Sequence, residues 1–324
     1  MRPEPTRPGP VSVVSTIIRK KLSRCRRAAK LAGLAIGFMA LSLSASFSVQ
    51  AADDETNPAP DVPDKSNYSL FDPTPDDEMR KFTPDRPTKG YSVRTIDAGH
   101  FELETDLVNF TYSKYLGTVT QSVQTLDPTL KMGITNWLDF EIQFNGLQSS
   151  QSFDSESGLA VAHGAGFGDV VLRTKMNLFG NDDGPAGLAI IPYVKLPSST
   201  PVISNGAVEG GLIVPLALRL PQDYLVTLMT EVDALENTDE GRRYANFVNL
   251  VGVSHPIPGI EGANAMVELF SSVGADRATP PIYTFDLGMN FQLDKHTILD
   301  VGLNLGLNNA APKAQVYTGI SVRF

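Results

Sequence analysis

The sequence has very few of the residues that support thiol chemistry or helical membrane spans. Its 324 residues include one cysteine, Cys25, and one tryptophan, so a disulfide scaffold is excluded. No run of 18 or more apolar residues follows the N-terminal region, which excludes a helical membrane-spanning protein. The 36 acidic residues outnumber the 27 Lys and Arg, for a net charge of −9. That balance argues against nucleic acid as a partner.

The N-terminal 51 residues have the features of a bacterial secretory signal. Basic residues concentrate over 19–30, a short apolar stretch follows at 31–43, and Ala51 closes a small-x-small cleavage motif. The pattern predicts a signal peptide over 1–51 that is cleaved on export. An uncleaved membrane anchor is the alternative. Cys25 leaves with the signal, so the exported chain is expected to contain no thiol.

Residues 52–97 are rich in proline and aspartate. A segment of this composition buries little apolar surface. We expect a loose periplasmic tail here. The alternative is an extended plug that folds into the rest of the protein, with Tyr68, Phe71 and Phe82 as its anchors.

After Gly99 apolar and polar residues alternate almost strictly. In 298–308 the leucines and Val301 occupy every second position, opposite Asp300, Gly302 and Asn304. This period of two is typical of a strand with one apolar face. The same pattern predicts twelve strands, at 99–112, 124–134, 137–147, 168–179, 186–196, 209–220, 223–233, 243–255, 262–272, 281–293, 297–307 and 313–324.

The connections between these strands alternate between tight turns and longer loops. The longest predicted loops are 113–123, 148–167 and 197–208. This alternation and an even strand count indicate an all-β, antiparallel transmembrane β-barrel of about twelve strands over 98–324. A soluble β-sandwich also alternates, but does not combine an export signal with aromatic residues at both strand ends. Those aromatic residues predict two interfacial girdles, formed by Phe101, Trp137, Phe179, Tyr224, Phe291 and Phe324 at one end and Tyr112, Phe144, Tyr244, Phe270 and Tyr283 at the other.

The last strand ends in Phe324, with Val322 on the same face. A terminal phenylalanine after alternating apolar residues resembles the C-terminal signature of bacterial outer-membrane barrels. The resemblance implies that Val322 and Phe324 form a membrane-assembly signal for the barrel-assembly machinery. Outer-membrane lipid is then the expected surrounding of the barrel, in a Gram-negative bacterium.

Several short runs carry a narrower resemblance. They are Thr83-Pro84-Asp85-Arg86-Pro87-Thr88-Lys89, Asp97-Ala98-Gly99-His100-Phe101, Gly166-Phe167-Gly168-Asp169 and Val194-Lys195-Leu196-Pro197. The chain resembles the outer-membrane family of phenol-degradation meta-pathway transporters over roughly residues 80–324. The resemblance implies passage of aromatic compounds.

If apolar side chains face lipid, the opposite face of each strand lines the lumen. The charged residues predicted to line the pore are Glu102, Glu104, Asp106, Lys131, Asp139, Glu141, Arg173, Lys175, Lys195, Arg219, Glu231, Asp233, Glu268, Asp286 and Asp300. Arg173, Lys175, Lys195 and Arg219 form a basic arc, and most of the acids lie on the other strands. Facing arcs of opposite sign would set up a field across the pore. In the alternative interpretation these charges pair and fill the interior.

The sequence therefore predicts an outer-membrane channel for passive or gated uptake of small solutes, with aromatic compounds as candidates. The alternative is a non-conducting barrel with a structural, adhesive or lipid-acting role through its extracellular loops. No Gly-x-Ser-x-Gly elbow is present, and His163 is the only histidine expected in an extracellular loop. We expect no enzymatic activity, no catalytic residue, no cofactor and no metal site.

Overall fold

The computed structural model describes residues 64–182, 184–238, 240–276 and 278–324. The predicted signal peptide and residues 52–63 lie outside these described residues. Within the described ranges, no helix has the length and apolar character needed to cross a membrane. The secondary structure there consists of strands.

Fifteen strand segments are found in the described residues. They are β1 (Phe101–Tyr115), β2 (Thr118–Thr125), β3 (Thr129–Thr135), β4 (Leu138–Phe144), β5 (Leu147–Asp154), β6 (Ala160–Phe167), β7 (Val170–Phe179), β8 (Ala186–Leu196), β9 (Glu209–Arg219), β10 (Leu225–Asn237), β11 (Arg242–Pro256), β12 (Ala263–Gly274), β13 (Ile282–Gln292), β14 (Thr297–Gly306) and β15 (Ala314–Arg323).

These segments build the predicted closed, antiparallel, twelve-stranded barrel. Three of the twelve strands are interrupted, so that β2 and β3, β4 and β5, and β6 and β7 each form one broken strand. The first and last strands close the barrel, and Phe101 and Phe324 exchange main-chain hydrogen bonds of 2.8 and 3.0 Å. We call the end of the barrel at Phe101 and Phe324 the terminal rim, and the opposite end the distal rim.

The alternation of side chains between the two faces follows the prediction. Along β14, Ile298, Asp300 and Asn304 are buried in the lumen, whereas Val301 and Leu305 are exposed on the outer face. An exposed apolar outer face is costly in water but favourable against hydrocarbon. The outer face is therefore the lipid-facing surface.

Two of the predicted long loops are wrong. Residues 113–123 form a hairpin in which only Leu116 and Gly117 lie between β1 and β2, and residues 148–167 form most of β5 and all of β6. These segments extend the sheet toward the distal rim. Polar runs such as Ser149–Ser152 hid the strands, because an extension beyond the bilayer needs no apolar face.

The aromatic girdles are only partly as predicted. Trp137, Phe179 and Phe324 are exposed on the outside at the terminal rim. Phe270, however, has the same register parity as the buried Met266 and Glu268, so it faces the lumen. Tyr244 also shares the parity of inward-facing Asn246. Position near a strand end misled the prediction, because register and not proximity to an end decides the face.

The β1–β2 hairpin generates a stability prediction. Leu116 and Gly117 both have positive φ, 46° and 82°, as a type I′ turn requires, and such turns prefer Asn-Gly. Leu116 is also 85% exposed, so the substitution removes little packing. We expect Leu116→Asn to raise the free energy of unfolding by about 0.5–1 kcal/mol, measured by urea titration of the refolded barrel.

The matched control is Leu159→Asn. Leu159 is also exposed, at 69%, but it is not among the residues with positive φ. It should leave the unfolding free energy unchanged. Equal effects of the two substitutions would show that loss of an exposed leucine, and not turn geometry, is responsible.

Candidate functional site: a charged lumen and the segment inside it

The inward charges of neighbouring strands oppose one another in a ladder of alternating sign. Arg323 pairs in register with Glu102, Glu102 with Lys131, Lys131 with Glu141, and Glu141 with Arg173. The ladder thus crosses β15, β1, β3, β4 and β7. Opposite charges directly across a strand pair attract one another, and here they are also buried. The basic arc predicted from the sequence is interleaved with acids at this place.

Residues 64–100, here called the inner segment, contact the inward faces of strands on several sides of the barrel. Residues 80–98 are largely buried and make the contacts of a plug within the lumen rather than of a loose tail, whereas many side chains of residues 64–79 are exposed. Phe82 is buried and lies 5.2 Å from the Arg323 guanidinium, measured to its ring centroid. Tyr68 donates a hydrogen bond to Glu78 within the segment. Phe71 is 93% exposed, so it is not one of the anchors.

The inner segment is fixed at the terminal rim by a buried arginine. Arg80 lies 3.1 Å from Asp97 and 2.9 Å from Asp182, measured between guanidinium nitrogen and carboxylate oxygen. The Arg323 guanidinium donates a 2.8 Å hydrogen bond to the main-chain oxygen of Arg80. Lys65 also reaches Asp182 at 3.1 Å. These contacts tie both ends of the inner segment to the same rim.

Asp85 brings a carboxylate to two buried lysines of the wall. Its Oδ2 lies 2.7 Å from Lys131 Nζ and 3.0 Å from Lys175 Nζ, and the main-chain N–H of Ser92 donates to its Oδ1 at 2.6 Å. Burial acts to raise the pKa of Asp85, but the two ammonium groups outweigh it and hold that pKa well below its ordinary value. Asp85 is therefore ionised.

Arg86 brings a cation to the acidic part of the wall. It donates two hydrogen bonds to Asp300, at 3.0 and 2.8 Å, and forms an ion pair with Asp106. Both acids are in register with Gly319, which lies between them on β15. A Cβ at Gly319 would lie 2.2 Å from Arg86 Nη2. Only glycine leaves room for the guanidinium here.

Lys89 fills a second acidic position. Its Nζ lies 3.0 Å from Asp286 and donates a 2.6 Å hydrogen bond to Thr284, and its main-chain N–H donates to Glu268 at 3.2 Å. Glu268 and Asp286 are directly opposed on β12 and β13, an unfavourable arrangement unless a cation lies between them. Lys89 Nζ also lies 4.5 Å above the Phe270 ring centroid, a cation–π contact.

The predicted pore-lining residues are distributed as follows. Twelve are buried on the inward face, namely Glu102, Glu104, Asp106, Lys131, Asp139, Glu141, Arg173, Lys175, Asp233, Glu268, Asp286 and Asp300. Glu231 and Lys195 are half-buried, and Lys195 pairs with Asp169 and Glu209 at 3.3 and 2.7 Å. Arg219 is exposed at the terminal-rim end of β9. The sequence predicted a basic arc that faces an acidic one. In the structure these charges are instead neutralised by neighbouring wall residues and by the inner segment.

Sequence reasoning missed Asp85, Arg86 and Lys89 as site residues. They lie in the run that carried the family resemblance, but nothing in a linear pattern shows their partners on the barrel wall. One indirect signal was available: the predicted inward faces hold more acids than bases. Burial of that excess requires cations from elsewhere in the chain.

One part of the lumen wall is apolar. The wall cluster consists of five buried residues on β8–β11, namely Ile191, Ile213, Met229, Val248 and Leu250. Tyr91 of the inner segment packs on it, together with Tyr193 and Phe270 of the wall. The site thus combines a charged region with an adjoining apolar patch.

Comparison with known families identifies the class of protein. A family model described as the MetA-pathway of phenol degradation matches residues 84–324, and the chain belongs to that family. The match includes Asp85, Arg86 and Lys89 as well as the whole barrel. No curated protein matches the chain.

Several solved structures are similar to the chain. An outer-membrane channel from Pseudomonas putida F1 is 14% identical, with a TM-score of 0.54 over 69% of this chain and 95% of that chain. The CymD monoaromatic hydrocarbon channel is 8% identical, with a TM-score of 0.36 over 69% and 87%. An anion-selective porin from Comamonas acidovorans is 11% identical, with a TM-score of 0.37 over 69% and 98%. The first similarity shows a common fold, and the barrel resembles Gram-negative outer-membrane channels.

The position of the inner segment predicts a specific cross-link. A Cβ at Gly187 would lie 2.7 Å from Val93 Cγ2, within reach of a disulfide once both residues are cysteine. We expect Val93→Cys with Gly187→Cys to form that disulfide in the folded barrel. Mass spectrometry of non-reduced peptides would detect the link, because the only natural cysteine is Cys25.

The control combines Val93→Cys with Gly117→Cys at the tip of the β1–β2 hairpin. A Cβ at Gly117 has no neighbour within 4 Å, so no intramolecular link is expected. A folded barrel that links neither pair would place Val93 away from Gly187 and contradict the contacts described above.

Proposed function

We propose that the protein is an outer-membrane channel for uptake of small solutes, and that the inner segment controls passage through the lumen. The observation that carries the proposal is the mode of attachment of residues 84–96. In the described structure, each hydrogen bond between these residues and the strands has a side chain as donor, acceptor or both, as for Asp85, Arg86 and Lys89. None of these bonds joins main chain to main chain. They add no strand to the sheet. Such contacts can exchange for water without disrupting the barrel ladder.

The energetics of buried ion pairs fit a gate. Removing two charges from water costs about as much as their mutual attraction returns, so a buried pair adds little net stability. Loss of one partner is costly, because it leaves the other charge buried and alone. The ion pairs therefore define the position of the inner segment closely. They make the state with the segment bound to the wall only moderately more stable than a state in which water replaces it. A solute or a field that stabilises the hydrated state would open the path.

Aromatic compounds are the solute class that we propose. The family description refers to phenol degradation, and the wall cluster provides an apolar surface inside an otherwise charged lumen. We also propose that the signal peptide is cleaved on export, that the barrel-assembly machinery recognises the last strand, and that the barrel lies in outer-membrane lipid. The expectation that the protein is not an enzyme is part of the same proposal.

A non-conducting barrel is the second candidate. The sheet formed beyond the barrel by the end of β1 with β2, β5 and β6 favours it, because such an extension offers a surface for adhesion or for lipid contact. Conductance distinguishes the two. An extension that acts alone needs no movement of the inner segment.

The Arg86 contacts give the test of the proposed gate. Arg86→Gln leaves Asp106 and Asp300 without a cation, a loss of roughly 3 kcal/mol for the occupied lumen. Gly319→Leu displaces the same guanidinium without a change of charge. Because about 1.4 kcal/mol corresponds to a factor of ten, we expect both variants to raise open probability at least tenfold in planar bilayers.

Val316→Leu is the matched control for this experiment. Val316 lies on the lipid-facing side of the same strand as Gly319 and is 48% exposed. Its conductance should equal that of the unaltered chain. If both lumen variants fold, as judged by heat-dependent gel mobility, and neither conducts more than the control, the inner segment is not a gate.

A further inference from the structure

The wall cluster is an unusual feature for the interior of a barrel whose lumen is otherwise charged. Ile191, Ile213 and Leu250 are at most 1% exposed. The cluster spans the neighbouring strands β8 to β11. Ile191 pairs in register with Ile213, Met229 with Leu250, and Leu250 with Phe270 of β12. An apolar patch of this kind is costly in a water-filled channel and requires a cover.

Tyr91 supplies that cover. Its ring packs on the wall cluster, and the neighbouring Gly90 brings the main chain against Leu250, where an added Cβ would lie 3.3 Å from Cδ2. The Arg173 guanidinium lies 5.4 Å from the ring centroid, a cation–π distance. The inner segment thus places one aromatic ring in contact with both an apolar wall and a cation.

The side chain of Tyr91 is chemically a 4-alkylphenol. We propose that the wall cluster with Arg173 is a binding site for a neutral monocyclic phenol, and that Tyr91 is a tethered occupant that competes with the solute. This inference rests on the proposed function and deepens it. The solute and the Tyr91 ring exclude one another, so binding of one requires departure of the other.

The surroundings favour the neutral form of a phenol. Burial raises the pKa of Tyr91 to about 12, and although Arg173 opposes this effect, Glu141, Glu231 and Asp85 reinforce it. A free phenol in the same position would meet the same groups. An aromatic carboxylate, ionised at neutral pH, would bring an additional negative charge toward those acids.

Departure of Tyr91 would also affect the ion pairs nearby. Lys89 is two residues away and contacts Phe270, which packs on the wall cluster. A phenol that displaces Tyr91 would therefore shift the segment that holds Lys89 against Asp286. Solute binding would in this way be coupled to release of the inner segment.

The test is binding of 4-methylphenol to the exported chain, refolded in detergent, measured by equilibrium dialysis. Tyr91→Ala removes the tethered occupant, so we expect this variant to bind at least tenfold more tightly than the unaltered chain. Tyr68→Ala is the matched control, because Tyr68 belongs to the same segment but contacts Glu78 instead of the cluster. Non-specific uptake of 4-methylphenol by the detergent is the same for Tyr68→Ala and Tyr91→Ala, so it cancels in the comparison.

Three further measurements make the result specific. Adding Leu250→Asn to Tyr91→Ala should abolish the gain, and benzoate should show no gain in any variant. In the unaltered chain, 4-methylphenol should speed amide hydrogen exchange over residues 84–96. Equal binding by Tyr91→Ala and Tyr68→Ala, with both barrels folded by gel mobility, would overturn the proposal, as would a gain that persists with Leu250→Asn.

The outcomes separate this inference from the proposed function. Specific 4-methylphenol binding in a barrel that never conducts would support the site and count against a channel. Normal conductance with no specific binding would leave the channel and remove the site.

Discussion

Neutralisation of charge inside the barrel is the constraint on which the rest of the structure depends. A lipid-facing exterior forces polar residues inward, and twelve strands enclose too little space to surround each of them with bulk water. An isolated buried carboxylate is several kcal/mol less stable than a paired one. The wall meets part of this requirement with the ladder from Arg323 to Arg173, in which acids and bases alternate on neighbouring strands.

Elsewhere the wall pairs Lys195 with Asp169 and Glu209. Other acids have no such partner on the wall, because Glu268 opposes Asp286 and because Asp106 and Asp300 flank Gly319. The inner segment supplies cations to these acids through Arg86 and Lys89, and it adds the Asp85 carboxylate to Lys131 and Lys175. The complementarity extends to shape, since Gly319 leaves the space that the Arg86 guanidinium fills. Charge and shape thus both favour the same position for the inner segment. Its place in the lumen therefore follows from specific complementarity with the wall.

The parts of this structure that the sequence predicts are those governed by local periodicity. The alternation in 298–308 defines β14 and its lipid-facing side, and the terminal Phe324 marks the closing strand. The β1–β2 hairpin was not predictable in this way, because Leu116 adopts positive φ without the Asn-Gly signature. Most inward charges could be named from parity alone. Their partners could not, since Arg86 and Asp300 are 214 positions apart and meet only when the barrel closes.

The two kinds of contact made by the inner segment have different physical consequences. Ion pairs with the wall weaken as water and salt enter the lumen, so they respond to hydration and to ionic strength. The contact of Tyr91 with the wall cluster is apolar and responds instead to whatever else can cover that surface. A segment held by both would be sensitive to two different signals. Because Tyr91 lies two residues from Lys89, a solute that displaced the ring as proposed would act on the ion pairs without movement of the barrel wall.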